Sequence, residues 1–197
     1  MTDSPIQVID DFLPIDIFKT IAEPMMRCPC YQCMPATAKI TEDDGSIGQY
    51  GEDEEMSKGQ KVHEHMMQLF LVSKFQTMQQ VNDLWLMLAK DFNALEAALR
   101  IKTLWMARVN VTTGQSENFV GSFHTDNHTH ARKHLLEIAI LYLNTNNGGT
   151  KFEDGTFVKS KANRAVIFPQ HIKHAGVWCT DRKLRYVMNL NYEKNDG

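Results

Sequence analysis

The chain contains no uninterrupted apolar run approaching the roughly 20 residues that cross a bilayer, so no membrane-spanning helix is expected. Basic surplus is missing too: 21 Lys and Arg stand against 24 Asp and Glu, a net charge of -3. Gripping phosphates calls for the opposite balance, which disfavours nucleic acid as an obligate partner. Cysteines number four, three of them clustered as Cys28, Cys30 and Cys33. Structural zinc takes four ligands in two separated pairs, so CPCYQC reads as half-buried thiols in a reducing compartment. No internal repeat, Pro- or Ser-rich linker or low-complexity tract divides the sequence. The opening MTDSPIQVIDDF has neither the basic nor the apolar region of a signal peptide, and a cytoplasmic protein is expected. What is present is ordinary globular composition: 197 residues, 43% hydrophobic and 23% charged, enough for a single domain over 1–197.

The two halves differ in pattern. After the apolar residues Ile6, Val8 and Ile9, Pro14 marks a helix start, with Ile17, Phe18 and Ile21 following at helical spacing. Residues 41–55 (TEDDGSIGQYGEDEE) are acidic and glycine-containing and read as a loop, either a lid or a poorly ordered segment. From 58 to 99, Met67, Phe70 and Leu71, then Val81, Leu84, Trp85 and Leu88, recur at three and four residues and predict one or two amphipathic helices. His63 and His65 lack the spacing of a zinc helix. Residues 1–99 are thus expected to be a mostly helical support. Beyond residue 100, short β-rich runs at 101–111, 119–125, 135–143, 150–152, 156–159, 164–168, 174–178 and 184–192 alternate with turn signals such as Asn146-Asn147-Gly148-Gly149. The expected class is mainly β with N-terminal helices (α+β), the β-core a sandwich or barrel.

The chemistry-bearing residues begin at His124-Thr125-Asp126. On an extended chain residues i and i+2 share a face, so an imidazole and a carboxylate stand side by side. Phe168–His174 supplies two candidates for a third ligand, His171 and His174. Two imidazoles and one carboxylate on one face of an octahedron suit Fe(II) and leave three positions open. In LRYVMNLNY, alternation places Arg185, Val187, Asn189 and Asn191 on one face and Tyr186, Met188, Leu190 and Tyr192 on the other. An Arg directed into a small β-core needs an anion, and its fork fits a carboxylate.

The order HTD (124–126), ILYLN (140–144), GGTKF (148–152), NRAVIFP (163–169), HAG (174–176) and RYVMN (185–189) resembles the 2-oxoglutarate/Fe(II) oxygenases, above all their prolyl-4-hydroxylase-like branch. The resemblance covers about residues 100 to 192, and the opening IDDFLP is similar as well. It implies a double-stranded β-helix (jelly roll) core and an enzyme in which His124, Asp126 and His174 hold catalytic iron. His174 is favoured over His171 by the match of His-Ala-Gly to the family's H-x-G. Arg185 and Tyr142 would bind the distal carboxylate of 2-oxoglutarate, with Asn189 a small polar neighbour on Arg185's face. Fe(II), 2-oxoglutarate and O2 are the implied cofactors, with ascorbate as reductant. A protein side chain or a small molecule is the implied substrate, with release of succinate and CO2.

One departure bears on specificity: MARVNVTTG, the run before HTD, carries Asn110 or Arg108 where many prolyl hydroxylases have a tyrosine. Two other readings compete with the oxygenase. One is a non-catalytic jelly-roll binding protein. The other is a zinc-binding protein using His128, His130 and His134, which leaves Arg185 and Tyr142 without a role.

Overall fold

The computed structural model describes residues 5–28, 32–33, 38–40, 47–49, 66–73, 80–81, 86–126 and 136–195. In chain order its elements are β1 (Gln7–Ile9), α1 (Ile15–Arg27), β2 (Gln32–Cys33), β3 (Ala38–Ile40), β4 (Ile47–Gln49), β5 (Met66–Ser73), β6 (Gln80–Val81) and α2 (Ala89–Ala98). The second half supplies β7 (Ile101–Thr113), β8 (Leu136–Tyr142), β9 (Gly149–Phe152), β10 (Phe157–Lys159), β11 (Arg164–Pro169), β12 (His174–Val177) and β13 (Leu184–Lys194).

Two antiparallel sheets face one another. The larger runs β1-β11-β8-β13-β7-β5-β2, with β6 beside β5; the smaller runs β10-β9-β12. Residues alternate between faces along each strand, and register partners share a face, so two cores form. Outward-facing Ala107, Val109, Val111, Ala139, Leu141, Ile167, Met188 and Leu190 are covered by Phe18, Ile21 and Met25 of α1 and Phe92 and Leu95 of α2. Inward-facing Ile138, Ile140, Tyr142, Val166, Phe168 and Val187 meet Phe152 and Val158 of the smaller sheet. This is the jelly-roll arrangement expected, mainly β with helices on one side. Among the described residues, no helix is long and apolar enough to cross a membrane.

Local sequence explains several boundaries. Pro14 caps α1, its carbonyl accepting the Phe18 N–H at 2.9 Å. Asn163 adopts φ 62°, a left-handed conformation that asparagine tolerates. Its buried amide donates to the Leu13 carbonyl (2.7 Å) and accepts the Leu13 N–H (3.0 Å), tying the N-terminal segment to the β-core. Gly149 lies so close to β10 that a Cβ there would collide with the Val158 carbonyl.

The helical reading of 58–99 is corrected: among the described residues Met66–Ser73 is a strand paired with β7, Gln80–Val81 is a short strand, and Ala89–Ala98 is the one full helix. MMQLFLVS is apolar at nearly every position, and such a run carries no decisive period; pairing to β7 settles it as extended. The N-terminal half is therefore strand-rich as well as helical. Within 41–55, Ile47–Gln49 pairs with Ala38–Ile40, and the remainder of that acidic segment lies outside the described residues. The expected strand 119–125 reduces to two bridges, Val120 to Val177 and His124 to His174. The other second-half strands fall where the sequence placed them. His63, His65, Cys30, His128, His130 and His134 lie outside the described residues; Cys179 is buried and forms no disulfide among the described residues.

Candidate metal centre

The smaller sheet carries the centre of the site on its edge. His124 and His174 form a bridge in which each backbone N–H donates to the other's carbonyl, at 3.0 and 2.9 Å. That pairing brings the two imidazoles side by side, their ring centroids 4.7 Å apart and their planes tilted by 45°. Two residues on, Asp126 turns its carboxylate into the same space, Oδ1 lying 3.7 Å from His124 Nε2. The three potential ligand atoms lie within 4.8 Å of one another. His171, the competing candidate, is exposed in the turn after β11 and is not part of this group.

Orientation favours nitrogen donation from both rings. His124 Nδ1 lies 3.0 Å from the Ser122 carbonyl and His174 Nδ1 lies 3.3 Å from the Ile172 carbonyl. With Nδ1 carrying the hydrogen, each ring presents the Nε2 lone pair, the arrangement second-sphere carbonyls impose on ligating histidines. Exposure is asymmetric: the side chains of His124 and Asp126 are 48% and 2% exposed, and His174 is buried. A cation held there would be gripped from the protein side and approached past His124.

Burial pushes the His174 pKa down to about 4, although the neighbouring Asp126 carboxylate opposes the shift. At neutral pH the ring is therefore neutral and able to bind metal. The sign of the pH effect follows. Unfolded His174 takes up a proton near pH 6.5, whereas the folded ring resists until about pH 4. The metal-free protein should lose stability as pH falls through that window, by up to about 3 kcal/mol. Urea unfolding at pH 7 and pH 4.5 would show it, and His174→Gln should flatten the difference.

The inner face of the larger sheet leads away from the centre. Arg185 stands opposite Thr112, Val187 opposite Asn110, and Asn189 opposite Arg108. Arg185 is 4% exposed and donates through Nη2 to the Gly149 carbonyl (2.8 Å) and through Nε to Ser160 Oγ (3.3 Å). Burial lowers its pKa, that is, it penalises the cation. Among the described residues no carboxylate pairs with it. Tyr142 lies below, its ring centroid 5.9 Å from the guanidinium carbon. The Tyr142 hydroxyl donates to Thr150 Oγ1 at 2.8 Å, with the Val158 carbonyl at 3.1 Å, and burial raises its pKa. The structure thus groups His124, Asp126 and His174, and separately groups Arg185 with Tyr142. Trp178 is buried, packed edge-on against Phe119 with centroids 5.8 Å apart.

The donor set fits the metal and co-substrate implied by the sequence. Two neutral imidazoles and a carboxylate form a facial triad for Fe(II). Between triad and Arg185, Asn110 Oδ1, Thr112 Oγ1 and Asn189 Oδ1 are buried without hydrogen-bond partners among the described residues, as expected of groups that receive a polar ligand. The amides turn over readily to present Nδ2, and the hydroxyl can donate, so this lining suits oxygen acceptors. Sequence reasoning missed three members of the surroundings: Gln170, whose Nε2 donates to the Asp126 carbonyl, and Thr150 and Ser160 beside Tyr142 and Arg185. Each is an uncharged polar residue in or beside a strand or turn, without a spacing signal of its own.

No family model and no curated protein matches this chain. Solved structures match its fold. A Pseudomonas putida prolyl-4-hydroxylase is 13% identical, with a TM-score of 0.55, over 98% of this chain and 94% of that one. A Trichoplax adhaerens prolyl hydroxylase, solved in complex with a hypoxia inducible factor oxygen degradation domain peptide fragment, is 11% identical, with a TM-score of 0.59, over 98% and 84%. A Burkholderia pseudomallei oxidoreductase of the 2OG-Fe(II) oxygenase family is 8% identical, with a TM-score of 0.61, over 99% and 88%. The class these similarities define is a jelly-roll scaffold of the 2-oxoglutarate/Fe(II) oxygenase type. Within it, this chain has a prolyl-4-hydroxylase-like fold.

Proposed function

We propose that this chain is a 2-oxoglutarate- and Fe(II)-dependent dioxygenase that hydroxylates a C–H bond of a small molecule or a protein side chain. The observation that carries this reading is the convergence of His124, Asp126 and His174 ligand atoms within 4.8 Å, on a scaffold whose interior also holds the buried Arg185 cation. His124, Asp126 and His174 would hold the metal. Bound there, Fe(II) would let O2 act as the oxidant, one oxygen atom going to succinate as 2-oxoglutarate loses CO2 and the other into the substrate C–H bond. Ascorbate is the reductant that would keep the metal ferrous.

The chain's own tasks are positional. Arg185, cationic at any physiological pH, would seat the distal carboxylate of the co-substrate through a charge-assisted contact. Tyr142 and Asn189 would line the same pocket, Tyr142 by turning its hydroxyl from Thr150. Ser160 and the Gly149 carbonyl hold the guanidinium in place meanwhile. The apolar residues Ile140, Val166, Phe168 and Val187 around this stripe keep bulk water out of the interior, which strengthens the ionic contact.

The test is to add Fe(II) and 2-oxoglutarate to the metal-free protein without oxygen, then admit air. A weak visible charge-transfer band before oxygen, and succinate after it, are expected. Metal uptake with neither band nor succinate would identify a binding module. Stoichiometric zinc with no response to 2-oxoglutarate would overturn the proposal.

A further inference from the structure

The interior behind the metal centre contains a cation that the proposed chemistry leaves unused. Arg108 lies on the inward face of β7, beside Asn189 of β13, and its side chain is 10% exposed. Its Nη2 is 3.4 Å from Asp126 Oδ1, a pairing of two buried charges 18 residues apart. Asp126 is held through its backbone as well: Gln170 Nε2 donates to the Asp126 main-chain carbonyl, and Gln170 is itself buried. Among the described residues Arg108 Nε and Gln170 Oε1 have no hydrogen-bond partner, and the side-chain contact of each residue is with Asp126. Burying a guanidinium is costly unless an anion faces it, and the anion here is the one carboxylate of the ligand group.

We propose that Arg108, assisted by Gln170, is a positioning residue: it fixes the Asp126 carboxylate in the rotamer that faces His124 and His174. This rests on the reading of those three residues as a metal centre. The carboxylate follows the last short bridge of an irregular segment and lies outside any strand. A contact from the rigid, long strand β7 supplies the rigidity that an irregular backbone lacks. Outer contacts of this kind hold a ligand in place for the metal, and removing one commonly costs roughly 10- to 100-fold in affinity.

Two roles for Arg108 differ in sign. If its positive charge merely weakened the carboxylate as a donor, removing it would tighten metal binding. If it positions the carboxylate, removing it loosens binding.

The experiment is a titration of the metal-free chain with Co(II), read by its visible d–d absorption, for the wild type, Arg108→Met and Arg108→Lys. Thermal melting of each metal-free protein serves as the folding control. Arg108→Met should weaken Co(II) binding roughly 10- to 100-fold and alter the band shape. Arg108→Lys, which keeps a cation on a flexible stem, should recover most of the affinity. Should Arg108→Met fail to fold, Arg108→Gln replaces it, with the same direction of loss expected. Unchanged or tighter binding in a folded neutral variant would overturn the positioning role and leave the metal centre standing. A wild-type chain that takes up no Co(II), or takes it up undiminished after His174→Ala, would overturn the metal centre itself and with it this inference.

Discussion

Asp126→Ala is expected to abolish stoichiometric uptake of divalent metal and, with it, succinate formation. Asp126 contributes the one carboxylate of the ligand group, and the two remaining imidazoles are neutral donors that give a dication no charge compensation. The loss should exceed the roughly 10- to 100-fold typical of removing an outer contact. A second consequence follows in the metal-free protein. Asp126 is 2% exposed and faces the buried guanidinium of Arg108, so truncation leaves a buried cation without its anion. Breaking one side of a buried pair costs about 3–5 kcal/mol. Asp126→Asn separates the two effects, because the amide oxygen still accepts from Arg108 while the negative charge is gone. It should melt closer to the wild type than Asp126→Ala and still bind metal poorly. Isothermal titration with Mn(II), paired with thermal melting, reads both quantities. An Asp126→Ala protein that binds Mn(II) as the wild type does would remove the carboxylate from the centre.

Arg185→Ala should raise the concentration of 2-oxoglutarate needed for half-maximal turnover by about 30- to 1,000-fold, the equivalent of roughly 2–4 kcal/mol for depriving a buried carboxylate of its cation. The reason lies in the environment of the side chain. The guanidinium is buried, penalised by desolvation, and hydrogen-bonded to two neutral oxygens that do not neutralise it. A 2-oxo acid without a distal carboxylate provides the control. The wild type should prefer 2-oxoglutarate strongly, and Arg185→Ala should erase most of that preference while metal affinity stays unchanged. Arg185→Lys should recover part of it, since an ammonium keeps the charge but not the planar fork. Equal use of both acids by the wild type would show that Arg185 does not seat a carboxylate.

Much of this arrangement was legible before any coordinates. The i, i+2 spacing of His124 and Asp126 required a shared face, and alternation put Arg185, Val187, Asn189 and Asn191 on one face of β13; that this face is the inward one, with Met188 and Leu190 outward against the helices, came from the fold. Turn chemistry at Asn146–Gly149 marked a boundary between strands, where β8 has ended and β9 begins. Other features were not local. Met66–Ser73 is apolar at most positions and fits either period, so only pairing with β7 made it a strand. Arg108 looked like a substitution for an expected aromatic, because nothing in MARVNVTTG indicates a carboxylate 18 residues away.

By itself, then, the sequence determined which residues share faces and where the chain turns, because strand periodicity and turn preference act over a few residues. It also furnished the inventory of donors: two candidate histidines for the third ligand, His174 favoured by its H-x-G match, one carboxylate, and one arginine whose face was left open. Only the tertiary structure decided among them. The antiparallel bridge between His124 and His174 draws His174 into the group and leaves His171 in solvent, and β7 brings Arg108 to Asp126. Contacts of that range depend on how two sheets close over one another, which is set by the summed burial of both cores and not by any short stretch of residues.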